Sequence, residues 1–342
     1  MQPDTSPNAE PGRKRTPAFF ATLSGLLAPL SFLLILCIYL SLTVKNFAAL
    51  DNIKEIVIQA SVVSVLACGQ TAVIISGNID LSVGANMCLA GVVAALMMRD
   101  HSAGVAVAAA VSCAVGLVSG TISGVITAIG KIPSFIVTLG MMGVLYGVAS
   151  ILAHSQNVGG LVDGFDTFAT GELFGNAKRT GVPYPILIML GIAVGVSILL
   201  TRTRWGRAVY AIGGNKEAAR LSGIKLSVVT GSVFALTGLL AGVAAVINVS
   251  RSGVAALDAG TSYELYAVAA TVIGGTSLFG GQGGIPGTVI GALLMFTIRN
   301  GCALRDLPSA YERVIVGAVV ILAVLYDRYG PGRKRAGNRV IA

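Results

Sequence analysis

The chain has 342 residues, of which 54% are apolar and 11% are charged. An ordinary soluble domain has about 25% charged residues, so the composition excludes a water-soluble globular protein. The length accommodates about ten membrane helices of about 20 residues with their loops. The two histidines and five cysteines form no metal-ligand or CxxC pattern, which argues against a metal site, a disulfide framework and a redox site. The net charge of +9 is therefore interpreted as a topology signal and not as affinity for nucleic acid.

The chain begins with a polar segment, residues 1–18, which ends in the basic cluster Arg13, Lys14 and Arg15 and is predicted to be a disordered cytoplasmic tail. An uncharged apolar segment, residues 19–44, follows. This segment is longer than the apolar region of a signal peptide and lacks a clear small-residue cleavage site. We therefore predict a retained first membrane helix.

Further apolar segments follow at intervals suited to a helical membrane protein. They are residues 56–76, 81–97, 103–128, 135–152, 185–200, 228–249, 265–278, 285–298 and 314–326. Several are shorter than a full bilayer crossing, and glycines between neighbours allow bent or partial helices, so the count is eight to ten. The sequence predicts an all-α polytopic bundle over residues 19–327, with some broken helices.

The distribution of Lys and Arg predicts the orientation. If the N-terminus is cytoplasmic and the segments alternate, most basic residues fall on the inner side, including those of residues 201–227 and of the C-terminal tail, residues 328–342. The outer loops have acidic residues that balance their cations. The positive-inside rule therefore predicts that both termini are cytoplasmic.

Two series of glycines repeat every fourth residue. They are Gly116, Gly120 and Gly124, and Gly283, Gly287 and Gly291. Small residues at this spacing allow membrane helices to approach closely, and we predict that this is their role. The alternative is that these glycines line a narrow path.

No source of energy for transport is visible in the chain. There is no GxxxxGK[ST] motif, so the chain does not hydrolyse ATP through a P-loop. The predicted spans contain no charged residue or histidine of the kind that binds a coupling ion. An energy-supplying partner is therefore favoured over a secondary carrier or facilitator. An intramembrane enzyme is disfavoured because no nucleophile and base are paired.

The polar stretch 201–227 is the most informative loop, because it is too polar to cross a membrane. Gly213 interrupts it, and Asn215 can cap a short helix with Glu217 in its first turn and Arg220 one turn later. Small residues, Ala218 and Ala219, are expected on a face that another protein can approach. A docking helix and a basic loop that only sets topology, with Trp205 and Tyr210 as interface anchors, are equally compatible with this pattern.

An ordered set of motifs resembles the ATP-binding-cassette (ABC) importer permeases of the ribose and related-sugar class. The matching residues are 77–84, 131–140, 206–207, 213–215, 217–224, 264–265, 274–278, 280–283 and 287–288. The resemblance covers most of the chain, and the loop 201–227 resembles the cytoplasmic coupling segment of that family. The departures lie in the N-terminal extension, the outer loop 154–182 and residues 299–312.

The resemblance implies a multi-pass permease of the bacterial inner membrane. It would work with a second permease copy or a paralogue, a periplasmic solute-binding protein and a cytoplasmic ATPase that binds Mg-ATP. No cofactor or catalytic residue is implied in this chain, and a ribose-like sugar is the first expectation among monosaccharides. Arg207 and Glu217 are expected to make polar contacts with the ATPase, and Gly206, Gly213 and Gly223 are expected to set the backbone shape. The residues expected in the ATPase-coupling segment are Gly206, Arg207, Gly213, Gly214, Asn215, Glu217, Ala218, Ala219, Arg220 and Gly223.

Polar residues at two glycine-rich breaks are candidates for the translocation path. They are Asn78, Asp80, Ser82, Glu264, Thr276, Ser277 and Gln282. Non-helical backbone at membrane depth is tolerated where protein or water satisfies it, and hydroxyl and amide groups suit a polyhydroxylated solute. At the first break, the expected main role of Asp80 or Asn78 is to cap the next helix, and a lining role is the alternative. Glu264 is expected to begin a helix in the same way.

Overall fold

The structure is a computed structural model that describes residues 18–175 and 181–329. The basic cluster Arg13, Lys14 and Arg15 and all of the predicted C-terminal tail from residue 330 onwards lie outside the described residues. The two predicted tails therefore stay predictions.

The described residues are almost entirely helical, as the composition predicts. In chain order the elements are α1 (Ala18–Thr43), α2 (Leu50–Ile75), α3 (Val83–His101), α4 (Val105–Gly130), α5 (Ser134–Leu152), α6 (Thr167–Thr170), β1 (Glu172–Leu173), β2 (Val182–Pro183), α7 (Tyr184–Arg202), α8 (Arg204–Gly214), α9 (Lys216–Leu221), α10 (Leu226–Ser252), α11 (Tyr263–Ile273), α12 (Ile285–Ala303) and α13 (Ser309–Tyr329). Strands β1 and β2 form an antiparallel hairpin. Within this part of the chain, eight helices (α1–α5, α7, α10 and α12) are long and apolar enough to cross a membrane.

The apolar segment 265–278 forms only a partial helix, which the glycines beside it allowed, and this agrees with the lower end of the predicted count. Helix α11 ends at Ile273, and its 11 residues extend about 16 Å, which is half of a hydrocarbon core about 30 Å thick. The chain from 274 to 284 is irregular, and Gly275, Gly280 and Gly281 have positive φ angles there. These glycines adopt a backbone conformation that ends the helix and that other residues rarely adopt.

Helices α4 and α10 approach so closely that their backbones touch. A Cβ atom added to Gly116 would lie 2.3 Å from the carbonyl oxygen of Gly238, and one added to Gly120 would lie 2.4 Å from that of Phe234. Helices α11 and α12 meet in the same way, since a Cβ at Gly291 would lie 2.0 Å from the carbonyl oxygen of Ala270. The predicted packing role of the two glycine series is confirmed at these positions.

The bundle has two ends with different polar structures. At the end that carries the β-hairpin, called the hairpin end, Lys54 of α2 pairs with Glu172 at 3.0 Å. The C-terminus of α12 also reaches this end, where Asn300 donates to Asn52 Oδ1 at 2.7 Å. The opposite end carries the short helices α8 and α9 and is called the α8–α9 end.

Helix α2 lies at the centre of the bundle, because every residue from 60 to 76 is buried. Helices α1, α5 and α7 lie at its edge, and each presents a broad apolar surface that is exposed in the isolated chain. An apolar exterior around a close-packed interior is the arrangement expected of a protein whose solvent is lipid.

Candidate coupling and translocation site

The α8–α9 pair is a compact unit held by capping hydrogen bonds. Thr203 Oγ1 accepts from the Gly206 N–H at 3.1 Å and begins α8, and Asn215 Oδ1 accepts from the Ala218 N–H at 2.9 Å and begins α9. The predicted cap at Asn215 is confirmed. The exposed side chains of Glu217 and Arg220 form an ion pair at 3.0 Å.

Most residues expected to contact an ATPase lie on the outer surface of this pair. The exposed ones are Arg207, Gly214, Asn215, Glu217, Ala218, Arg220 and Gly223. The expectation that Ala219 lies on an approachable face is wrong, since it is only 4% exposed and packs into the bundle. A helix as short as α9 is stabilised mainly by packing, and a small side chain lets it lie close to the protein beneath.

Gly206 and Gly213 are close-approach positions, as expected of glycines that set the shape of the backbone. A Cβ at Gly206 would lie 2.0 Å from the carbonyl oxygen of Leu200, so α8 rests directly on the last turn of α7. A Cβ at Gly213 would lie 1.7 Å from the carbonyl oxygen of Ile75 and 2.5 Å from the Gly281 nitrogen. These backbones leave no room for a side chain.

Three glycine-containing segments that are far apart in the sequence meet at this point. The Gly281 N–H donates to the Ile75 carbonyl at 2.8 Å, and a Cβ at Gly280 would lie 3.1 Å from the Cα of Gly77. We call the contact of Ile75, Gly77, Gly213, Gly280 and Gly281 the glycine junction. It joins the end of α2, the end of α8 and the irregular segment 274–284.

Two aromatic side chains of α8 make hydrogen bonds inside the protein. Trp205 Nε1 donates to Ser232 Oγ at 2.7 Å, and Tyr210 donates its phenolic hydrogen to the Gly283 carbonyl at 2.8 Å. Burial raises the pKa of Tyr210, so its hydroxyl stays protonated and keeps donating. These residues therefore fasten α8 to α10 and to segment 274–284 in addition to any role at the membrane interface.

The break between α2 and α3 is not organised as a simple helix cap. The N-cap residue of α3 is Ser82, so the expectation that Asp80 or Asn78 mainly caps α3 is wrong. Asp80 Oδ1 instead accepts from both the N–H and the hydroxyl of Ser82, at 2.8 Å and 2.6 Å. Asp80 and Ser82 are each 2% exposed, which places them in the packed interior.

The second break, residues 274–284, buries two of its candidate path residues. Thr276 is 1% exposed and Ser277 is 5% exposed, and Ser277 donates to Asp327 Oδ2 of α13 at 3.1 Å. Gln282 is exposed, and its backbone carbonyl accepts from the Ser277 N–H at 3.1 Å. The Ser277 hydroxyl therefore joins this segment to α13, whereas the buried Thr276 hydroxyl makes no hydrogen bond to the described residues.

Glu264 lies apart from the other candidate path residues, in the first turn of the half-helix α11. A Cβ at Gly84 would lie 2.8 Å from Glu264 Oε2, so the carboxyl group also lies beside the first turn of α3. The Glu264 Oε2 atom is buried beside the first turn of α3 and makes no hydrogen bond to the described residues. Helix α11 ends at Ile273, and Glu264 lies about 14 Å from Ile273 along the helix axis. Glu264 therefore lies near the middle of the bundle.

A cavity of about 1020 Å³ opens at the α8–α9 end beside the first break. Its walls include Asn78, Lys131, Glu217 and Arg220, together with Phe135 at the beginning of α5. The cavity thus brings one candidate path residue together with two candidate coupling residues. The other candidates, Asp80, Ser82, Glu264, Thr276, Ser277 and Gln282, are not among the lining residues.

Three side chains that were not among the candidate residues hold the first break in place. Ser134 and Thr138 of α5 and Gln70 of α2 bind its backbone. A signal was present in the sequence, since Ser134 and Thr138 are hydroxyl residues four positions apart on a mainly apolar helix. Such residues share one helix face, and a polar pair on a membrane helix usually has a partner.

Comparison with known proteins identifies the family. Residues 52–324 match the family described as "Branched-chain amino acid transport system / permease component". The ribose import permease protein RbsC of Escherichia coli (strain K12) is 41% identical over 297 residues, which are 86% of this chain and 91% of that protein. RbsC of Bacillus subtilis (strain 168) is 41% identical over 304 residues, 88% of this chain and 92% of that protein. The D-allose transport system permease protein AlsC of Escherichia coli (strain K12) is 35% identical over 296 residues, 86% of this chain and 89% of that protein.

No solved structure matches the chain. The matched region extends from the first turn of α2 into α13 and contains both breaks, the α8–α9 pair and the glycine junction. The resemblance to ABC importer permeases that the motifs indicated is confirmed. The chain belongs to the family of branched-chain amino acid transport system permease components.

Proposed function

We propose that the chain is the membrane-spanning subunit of an importer that takes up a monosaccharide, with a ribose-like sugar as the first candidate. The relatives named above are ribose and D-allose permeases, and the chain covers about nine-tenths of each. The chain supplies the path, and Mg-ATP is bound and hydrolysed by a separate cytoplasmic ATPase. Both termini then lie in the cytoplasm of a bacterial inner membrane.

The single observation that carries this proposal is the contact between the exposed α8–α9 pair and the breaks at the glycine junction. At this junction the backbone of α8, which carries the exposed α9, contacts the backbone at the end of α2 and in segment 274–284. An ATPase that binds the α8–α9 pair is thereby connected to both breaks. Leu221, which is 77% exposed at the end of α9, is an apolar anchor for a groove on the ATPase. Arg207, Glu217 and Arg220 supply the polar contacts around it.

The path itself lies between two permease copies, and not through one bundle. The interior is close-packed, since Asp80, Ser82 and Thr276 are at most 2% exposed, whereas the large cavity opens at the edge of the chain. A second copy or a paralogue beside α5 would close this cavity into a shared route. A periplasmic binding protein would deliver the sugar at the hairpin end, which the alternation of segments places on the outer side.

Reconstitution tests the proposal. The chain is co-expressed with its cognate ATPase subunit and purified as a complex. The complex is then placed in liposomes with its binding protein and radiolabelled ribose outside and Mg-ATP at the ATPase side. We expect ATP-dependent uptake, and we expect no ATP hydrolysis by the chain alone. Ion-gradient-driven uptake by the chain alone would favour a secondary carrier instead.

A charge reversal tests the docking surface within the same assay. We expect Glu217→Lys to weaken association with the ATPase, because it breaks the Glu217–Arg220 pair and inverts the charge of α9. Asp163→Lys is the matched control, since Asp163 is equally exposed but lies in the loop at the hairpin end. Equal association of both variants with the ATPase would contradict the assignment of α9.

A further inference from the structure

The extended segment 79–81 of the first break is held on one side by two hydroxyl groups of α5. The Ile79 N–H donates to Ser134 Oγ at 3.0 Å, and the Leu81 N–H donates to Thr138 Oγ1 at 3.0 Å. Two residues of extended chain span about 6.6 Å and one helical turn spans about 5.4 Å, so the two spacings match. We call these two contacts the hydroxyl clamp.

The opposite side of the same segment is held by α2. The carboxamide of Gln70, oriented by its partners, binds both the N–H and the carbonyl of Asp80 at 3.2 Å each. Alternate backbone groups of an extended chain point to opposite sides, which is why α5 binds residues 79 and 81 while α2 binds residue 80. The segment is therefore fixed between two helices by side chains alone.

The two hydroxyl groups of the clamp are buried, whereas the amides that they bind belong to half-buried residues. Thr138 is 0% exposed and Ser134 is 8% exposed, while Ile79 and Leu81 are half-buried and Ile79 lines the cavity. The Thr138 hydroxyl donates to the Ser134 carbonyl of its own helix at 2.9 Å and accepts from the Leu81 N–H at 3.0 Å. Removing either hydroxyl would leave a half-buried N–H without its protein partner, which is costly where water does not replace the lost hydrogen bond.

The two ends of this segment touch different parts of the proposed machinery. Its beginning follows directly from the glycine junction, where Gly213 of α8 lies against the Ile75 carbonyl. The hydroxyl clamp holds the segment against the first turns of α5. Phe135 in these turns lines the cavity and is 51% exposed on the outer face. The segment is thus a short, direct connection between α8 and the edge helix α5.

We propose that Ser134 and Thr138 are positioning residues that couple displacement of the α8–α9 pair to α5 through segment 79–81. A pull on α8 moves the end of α2 at the glycine junction, the extended segment follows, and the hydroxyl clamp carries α5 with it. This inference rests on the proposed function and names the residues that transmit motion within the same site. A contiguous set of contacts supports it, and the coupling is measurable by substitution.

The test measures coupling and not activity alone. The double variant Ser134→Ala, Thr138→Val is assembled with the cognate ATPase, and ribose uptake and ATP hydrolysis are measured on the same proteoliposomes. We expect ATP hydrolysis to be retained and the ribose transported per ATP to fall about tenfold, because the two hydrogen bonds that join α5 to the segment are lost. Thr138→Ser keeps the hydroxyl and is expected to restore the ratio when Ser134 is intact.

Thr237→Val is the matched control. Thr237 is also 0% exposed on a membrane helix, and its hydroxyl donates to Val233 of its own helix at 3.0 Å. We expect its ratio of ribose to ATP to equal that of the wild type. An unchanged ratio in the double variant, or an equal fall in the control, would overturn the inference.

Hydrogen exchange provides a second readout that does not depend on transport. In the assembled complex, the amides of Ile79 and Leu81 are expected to exchange faster in the double variant than in the wild type, and the amides of α10 are expected to be unchanged. If the Ile79 and Leu81 amides exchange at the same rate in the double variant as in the wild type, the hydroxyl clamp is contradicted. If the double variant does not assemble, Ser134→Ala alone is measured by the same two assays. If the wild-type complex shows no ATP-driven ribose uptake, the proposed function fails and this inference fails with it. If the wild type transports ribose but the double variant behaves like the wild type, only this inference fails.

Discussion

At the scale of single residues, the structure assigns different roles to neighbours that look alike in the sequence. Gly213 and Gly214 are adjacent, yet a Cβ at Gly213 would lie 1.7 Å from the Ile75 carbonyl oxygen, whereas no atom lies within 4 Å of a Cβ at Gly214. Ala218 and Ala219 differ in the same way, one exposed and one buried. Chemical type alone does not reveal which neighbour makes the close contact.

The first prediction compares the two glycines. Gly213→Ala forces the end of α8 away from α2, and overpacking of this kind destabilises a protein by about 1–3 kcal/mol. Gly214→Ala adds a methyl group in open space and is expected to have little effect. Thermal unfolding of the purified chain in detergent measures both variants. Equal melting temperatures would mean that α8 does not rest on the Ile75 carbonyl.

The second prediction concerns the cap of α9. Asn215→Ala removes the side-chain acceptor of the Ala218 N–H and is expected to cost about 1 kcal/mol of local stability. Asn215→Asp keeps an oxygen acceptor at the same position and is the control. Hydrogen exchange of residues 216–221 should be faster in the alanine variant only. Identical exchange in the two variants would show that packing alone holds α9.

At the scale of elements, backbone contact between helices determines the architecture. Helices α4 and α10 meet through Gly116, Gly120 and Gly238, and α11 meets α12 at Gly291. Without a hydrophobic effect between helices in lipid, close van der Waals contact is the main source of attraction. The half-helix α11 fits this arrangement because it lies between α2 and α12 and places Glu264 beside the beginning of α3.

The third prediction tests the contact of α4 with α10. Gly120→Ala places a methyl group 2.4 Å from the Phe234 carbonyl oxygen, so the helices must separate and the melting temperature should fall. Gly195→Ala on α7 is the control, because no atom lies within 4 Å of its Cβ position. Alanine also favours helix over glycine, which makes the control neutral or slightly stabilising. A fall of equal size in both variants would contradict close packing at Gly120.

At the scale of the whole molecule, the two ends of the bundle are specialised. The α8–α9 end contains the glycine junction, the cavity and the exposed surface of the α8–α9 pair, and polar side chains connect the elements at the hairpin end. Glu172 of β1 accepts from Lys54 at 3.0 Å and from the Gly181 N–H at 2.6 Å. Its hydrogen bond with Lys54, followed by that with Gly181, lowers the pKa of Glu172.

The fourth prediction concerns the pH dependence of the Glu172–Lys54 interaction. Because the pKa of Glu172 is lower in the folded protein than in the unfolded chain, its stabilising effect is complete above the ordinary Glu pKa of about 4.3 and is lost as the pH falls through the lowered value. The melting temperature of the wild type should therefore be higher than that of Glu172→Gln at pH 7, and the difference in melting temperature should decrease in acid. Asp163→Asn is the control. A difference that persists in strong acid would contradict the assignment.

Much of the topology follows from hydropathy along the chain. Except for residues 274–278, the apolar segments between residues 19 and 326 largely coincide with helices, because a stretch of lipid-compatible residues must satisfy its own backbone hydrogen bonds. The cap at Asn215 was also predictable, since it depends on residues three positions apart. These features depend only on neighbours in the sequence, which is why a local pattern contains them.

The tertiary structure alone decided the features that join distant segments. The shortening of α11, the burial of Asp80 and Ala219, the meeting of Gly77, Gly213 and Gly280, and the hydroxyl clamp all depend on contacts between residues far apart in the chain. A hydropathy pattern specifies that a helix forms, but it does not specify which backbone lies against it. The close approach of backbones, set by the packing of the complete bundle, determines which polar residues line a cavity and which ones hold the fold.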